Sequence, residues 1–214
     1  MIEHIKSVIA GHDPASVTRQ RKYAVLLPLV RVDDELHILF EIRSNIVSQP
    51  GETSFPGGAL EERETYREAA LRETEEELVL DRNEISILGE MDYIVKEDHV
   101  IKCFVGWLPD TDVSKLAPNE EVADVFTIPL QYFLTNEPLY HNVQYEIERT
   151  GDDPVKLDSD KQKYKWKTID QQIPFYSLSD YYLWGYTAHL THRFSELIKN
   201  KTNQINFEDD RNDK

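Results

Sequence analysis

The sequence has a single cysteine, Cys103. One thiol excludes an internal disulfide framework and a thiolate zinc cluster, and it suits a reducing compartment. Positive charge is scarce: 24 lysines and arginines stand against 40 aspartates and glutamates, a formal charge of −16. A general nucleic-acid binder needs a basic footprint to displace counterions, so that class is excluded. A small phosphate-bearing molecule stays within reach if divalent cations mediate the contact. No apolar run approaches the ~18 residues of a membrane helix, and the opening stretch MIEHIKSVIAGHDPAS lacks a signal-peptide core. The expectation is a soluble cytoplasmic protein without a membrane partner. The seven histidines show no HExxH-like spacing and are not read as metal ligands.

What is present suffices for one domain with appendages: 214 residues, 40% of them hydrophobic. Ile2, Ile5 and Ile9 have helical spacing, so residues 1–20 read as a helix and a lead-in. Ala24 to Val30 and His37 to Ile42 read as strands around an Asp33-Asp34 turn, with Pro28 pointing to an edge or a bulge. Asn45 to Gly58 is a loop rich in turn residues, and Glu62 to Leu78 is a helix by propensity. Strands follow at 85–88, 93–95, 100–108, 122–128 and 140–147, with a short helix at 129–134. A polar loop spans 150–163 and an amphipathic helix spans 183–198. The domain is placed at 21–200, and the acidic tail 201–214 is expected to be disordered. Strands and helices mix without strict alternation, which argues α+β.

The chemistry concentrates in residues 55–80, FPGGALEERETYREAALRETEEELVL. On a helix, Leu71, Thr74 and Leu78 share a stripe facing a core, and Glu73, Glu76 and Glu77 fall on roughly the opposite side. Glutamate runs on helices are usually solvated. Three crowded carboxylates repel one another, however, and a hard divalent cation such as Mg²⁺ or Mn²⁺ offsets that. The glycines just upstream let backbone approach the same ion.

The order Gly58, five residues, Glu64, seven residues, Arg72-Glu73, two residues, Glu76-Glu77 resembles the Nudix box of the Nudix hydrolase family. Thr74 stands where the family has an aliphatic residue, and Val79 where it has glycine. Upstream, Arg43, Ser44, Gly51 and Phe55-Pro56-Gly57-Gly58 are similar to the signature of the coenzyme A pyrophosphatase branch, although no basic residue stands between Asn45 and Pro50. Downstream, NEEVADVFTIPL and LWGYTAHLTHRF are similar to later segments of that branch.

The resemblance implies a mixed β-sheet sandwiched between helices, with a C-terminal helical extension. It implies hydrolysis of a pyrophosphate linkage in a nucleotide derivative, with coenzyme A first and ADP-ribose, dinucleotides or non-catalytic nucleotide sensing as alternatives. By carry-over, Gly58, Glu73, Glu76 and Glu77 are the metal ligands for Mg²⁺ or Mn²⁺, and Arg72 pairs with Glu64 to fix the helix against the loop. Arg43, Ser44, Phe55 and Gly57 are candidates for substrate contact. The general base is left among Glu76, Glu77 and a loop carboxylate, Glu120 or Glu121. Tyr181, Tyr182, Trp184 and Phe194 read as core or dimer contacts in preference to a base-binding platform, so a homodimer is a possibility. A β-branched residue is costly at positive φ, so Val79 is expected to keep φ negative and the chain to turn later, near Asp81-Arg82-Asn83.

Overall fold

The computed structural model describes residues 1–13, 17–145 and 169–212. The loop read at 150–163 lies outside them. In chain order the elements are α1 (Ile2–Ala10), β1 (Arg21–Val32), β2 (Glu35–Arg43), β3 (Thr53–Ser54), β4 (Gly57–Ala59), α2 (Tyr66–Leu78), β5 (Ser86–Glu90), β6 (Ile94–Val95), β7 (His99–Trp107), β8 (Val122–Pro129), α3 (Leu130–Thr135), β9 (Leu139–Tyr145), β10 (Ile169–Ser177), β11 (Tyr182–Trp184) and α4 (Gly185–Asn212). Helix α4 runs on through 201–212, a stretch whose polarity reads as irregular.

The main sheet has the order β3-β2-β1-β7-β5, with β8 on β2, β4 on β1 and β6 on β7. The β1–β7 pair is parallel and the other pairs are antiparallel, so the sheet is mixed. Period-2 alternation sends Leu27 and Leu29 of β1 and Ile38 and Phe40 of β2 into one apolar layer, which Phe133 of α3 and Leu190 and Phe194 of α4 complete. It sends Ala24, Leu26 and Val30 of β1 and Leu39 of β2 into the other, against Ala69, Ala70, Leu71 and Leu78 of α2. Both faces of the sheet are therefore covered by helix, as a mixed-sheet α+β sandwich requires.

Pro28 lies in a central strand, not at an edge. Strand β4 pairs with β1 up to Val25, and β2 pairs with it from Leu29 on. The Leu26 N–H donates to Pro56 O on that side, so the missing donor of Pro28 faces the gap between β4 and β2. A second, small sheet has the order β11-β10-β9.

Helix α2 starts at Tyr66, later than its propensity implies. A capping box fixes the start: the Glu68 N–H donates to Thr65 Oγ1 at 3.3 Å, and the Thr65 N–H donates to Glu68 Oε2 at 2.9 Å. Its end corrects another expectation. Val79 is left-handed, with φ 54° and ψ 52°. Leu78 is fully buried and Leu80 packs against the same core layer, while Val79 is 62% exposed. The Leu80 N–H closes the end on Glu75 O at 3.2 Å. Two anchored leucines thus dictate the exit, and the strain at Val79 is tolerated. Val79→Gly should stabilise the fold by about 1 kcal/mol, read as a higher thermal midpoint with unchanged activity; a lowered midpoint would contradict this account of the turn.

Candidate active site

The glycine turn and the second half of α2 approach so closely that a Cβ at either glycine would clash. A Cβ on Gly57 would overlap the Ala24 carbonyl and Val25, and one on Gly58 would overlap the Glu73 carboxylate. The turn is fixed from the helix side, because the Gly57 N–H donates to Glu77 Oε2 at 2.8 Å. Arg72 adds a second tie. Its Nε and Nη2 donate to the two Glu64 oxygens at 2.9 and 3.0 Å, and Nη2 also reaches Ala59 O at 3.1 Å. This bidentate fork joins α2 to the loop that carries the glycines. Glu64 holds the Arg72 pKa above its usual range, and Arg72 holds Glu64 below its own.

The glutamates do not share one solvated face. Glu76 is exposed and lies 3.3 Å from Arg72 Nη1. Glu73 is mostly covered and accepts from the same nitrogen at 2.8 Å. Glu77 is buried, at 4% exposure. It faces a residue that helical spacing does not reveal, Glu41 of β2, which is 1% exposed. Position 41 has the parity of Leu39, so its side chain points to the α2 side of the sheet. Glu41 Oε1 accepts from the Ser54 hydroxyl at 2.8 Å, whereas Oε2 is buried without a hydrogen-bond partner. Burial is the main cause that raises the carboxyl pKa of both Glu41 and Glu77; their mutual repulsion raises Glu77 further. Burial also raises Glu73, with Glu76 and Glu121 adding repulsion.

Glu121 stands on the loop before β8, close enough to act on both Glu41 and Glu73. Its carbonyl accepts from the Ser44 N–H at 2.8 Å, and the Asn119 N–H donates to Glu77 O at 2.9 Å. This loop is thereby pinned to the end of β2 and to α2. Ser44 serves that joint and is not part of the cavity wall. Glu120 is exposed.

Beside the carboxylates opens a cavity of about 620 Å³. Arg43, Phe55, Gly57 and Gly58 line its near end. Arg43 is oriented by Nε donating to Ser48 O at 2.8 Å, and Phe55 by stacking on Phe40 at 5.3 Å. The wall also includes Trp184, which the sequence suggests for the core or a dimer contact. Tyr181 stacks on Phe126 at 3.7 Å, Phe194 is in the core, and Tyr182 is 82% exposed.

Among the described residues, no three acidic, histidine or cysteine side chains are arranged as a ready cation cage. Arg72 engages Glu73 and Glu76, and Gly57 engages Glu77. The donor chemistry nonetheless fits a hard divalent cation. It is all oxygen, it carries excess negative charge, and it includes the unpartnered Glu41 Oε2.

A sequence profile described as NUDIX domain matches residues 20–150. The chain is 33% identical over 135 residues to the "Peroxisomal coenzyme A diphosphatase NUDT7" of Mus musculus, covering 62% of this chain and 56% of that protein. The chain thus matches little more than half the length of that relative. It is 27% identical over 205 residues to "Nudix hydrolase 3" of Caenorhabditis elegans, covering 92% and 82%. Among solved structures, a MutT/nudix family protein from Enterococcus faecalis has a TM-score of 0.50 at 14% identity, covering 93% of this chain and 70% of that one; at this identity the likeness concerns the fold. No described helix is long and apolar enough to cross a membrane.

Proposed function

The chain belongs to the NUDIX domain family, and from that premise we propose that it hydrolyses the pyrophosphate linkage of a nucleoside diphosphate derivative with Mg²⁺ or Mn²⁺. The observation that carries this reading is the carboxylate cluster Glu41, Glu73 and Glu77, packed against a glycine turn at the near end of a substrate-sized cavity. Buried carboxylates without compensating charge destabilise a fold, and a cation that bridges them to phosphate relieves that cost.

Glu73, Glu76, Glu77 and the Gly58 carbonyl would hold the cation, and Glu41 joins them as a candidate. When bound, such an ion neutralises phosphate oxygens and acidifies a coordinated water. The chain's own residues do the rest. Arg72 keeps α2 and the glycine loop in register through Glu64. The Arg43 guanidinium, aimed along the cavity wall, pairs with phosphate oxygens. Phe55 and the loop backbone fix the entry. The proton of the attacking water passes to Glu121 or to Glu76 or Glu77. Water adds to one phosphorus, the bridging oxygen leaves with the other, and two monoester products result.

Coenzyme A is the substrate we favour, giving 3′,5′-ADP and 4′-phosphopantetheine. The Arg43 to Gly58 stretch and the name of the mouse relative support it. A panel of coenzyme A, ADP-ribose and a dinucleotide polyphosphate at saturating Mg²⁺ tests this choice. Coenzyme A should be turned over at least ~10-fold more efficiently than the others; faster turnover of ADP-ribose would overturn it.

A further inference from the structure

Part of the cavity lining comes from residues beyond the stretch that the NUDIX profile matches. Gln171 of β10, Trp184 of β11, and Tyr186 and His189 of α4 form it. This wall is fixed to the main sheet. The Thr187 hydroxyl donates to Thr53 O at 3.1 Å, and Leu190 is buried in the core. Gly185 takes φ +64°, so the chain turns sharply and sets Tyr186 in the first turn of α4.

Tyr186 is 37% exposed, although its neighbours on α4 are covered. Its ring and that of His99 form a T-shaped pair at 5.5 Å and 66°, and His99 does the same with Tyr23 at 6.2 Å and 88°. Rings from β1, β7 and α4 thus converge on the cavity, and all three residues line it. Lys96 Nζ lies 5.7 Å from the Tyr186 ring centroid and is not part of that lining. The ring is therefore braced by His99 and by a cation, and its exposed part lines the cavity. Burial lowers the His189 pKa, while a backbone hydrogen bond at Gln172 opposes that shift.

We infer that the cavity wall around Tyr186 is the nucleobase subsite, with the base packed against the exposed part of Tyr186 and bordered by His99 and Trp184. This assignment rests on the pyrophosphate lying at the Gly58 end. A planar heteroaromatic base gains from ring faces and a backing cation, whereas a saturated amide chain such as pantetheine gains little from either. The base discrimination of this enzyme is thereby placed in part on its C-terminal segment, beyond the stretch that the NUDIX profile matches.

Calorimetry with Mg²⁺ tests the inference, using the two halves of coenzyme A as probes. Tyr186→Ala should weaken binding of adenosine 3′,5′-bisphosphate about tenfold and change binding of 4′-phosphopantetheine by less than about twofold. Tyr186→Phe should restore the former. In turnover of intact coenzyme A, Tyr186→Ala should raise KM and leave kcat nearly unchanged. An unchanged thermal midpoint, expected for a partly exposed ring, shows that the variant is folded. Unaltered bisphosphate binding, or equal weakening of both halves, would overturn the assignment. Tyr186-dependent bisphosphate binding in a wild-type protein that cleaves no pyrophosphate would sustain the subsite and overturn the hydrolase reading instead.

Discussion

Glu77→Gln should cut turnover by roughly 100-fold or more and, in the absence of divalent cations, should make the fold more stable. The two effects share one cause. Glu77 and Glu41 are buried side by side, and Glu41 Oε2 has no hydrogen-bond partner. A glutamine at 77 keeps an oxygen for the Gly57 N–H, which now donates at 2.8 Å. It also brings an amide N–H toward the unpartnered Glu41 oxygen and removes one buried charge. A gain of about 1–2 kcal/mol is expected from relieving that charge. A cation that binds only the folded state raises the wild-type midpoint in proportion to its affinity, and the variant should lose most of that increment. Glu76→Gln is the contrast. Glu76 is 55% exposed, so its removal should lower turnover and leave metal-free stability within about 0.5 kcal/mol. Thermal melts of the three proteins with and without Mg²⁺ check this. A destabilised Glu77→Gln protein that keeps its full response to Mg²⁺ would show that Glu77 is structural.

Arg72→Ala should be the most destabilising single change near the site. Its guanidinium satisfies both oxygens of Glu64, one of Glu73 and the Ala59 carbonyl, with only 22% of the side chain exposed. Removing one partner of a fully buried pair costs about 3–5 kcal/mol; partial solvation here reduces that to roughly 2 kcal/mol. For a chain of this size the midpoint should fall by about 4–8 °C. Turnover should fall about 10- to 100-fold, because the glycine loop loses its tie to α2. Lysine offers one point charge where arginine offers a fork, so Arg72→Lys should recover only part of either loss. Denaturation and steady-state kinetics on both variants test this. An Arg72→Ala protein with wild-type midpoint and turnover would reduce the cluster to a surface ion pair.

The sequence discloses the parts of the site that are local. Glu73, Glu76 and Glu77 share a helix, so their mutual spacing follows from helical period alone, and the Arg72–Glu64 tie follows from the box pattern. Glu41 is a different case. Its place depends on the β2 register and on α2 packing over that face, neither of which is local. A signal was present: an acidic residue inside the apolar run Ile38-Leu39-Phe40-Glu41-Ile42 implies a buried carboxylate. Val79 fails in the opposite direction. Local propensity favours negative φ, and the anchoring of Leu78 and Leu80 overrides it. The cavity wall around Trp184 and Tyr186 was illegible for a third reason. Strand β10 alternates Ile169, Gln171, Ile173 and Phe175, but Pro174 reads as a break in a central strand. Without β10, nothing in the local pattern discloses that Trp184 and Tyr186 border the cavity.

The central claim is that cation and nucleotide bind this carboxylate cluster together. Calorimetric titration with the non-hydrolysable α,β-methylene-ADP, run with Mg²⁺ and again in chelator, tests it most directly. Buried negative charge should repel the nucleotide when no cation is present, so affinity should fall at least ~10-fold in chelator. Equal affinity in the two titrations would contradict the account.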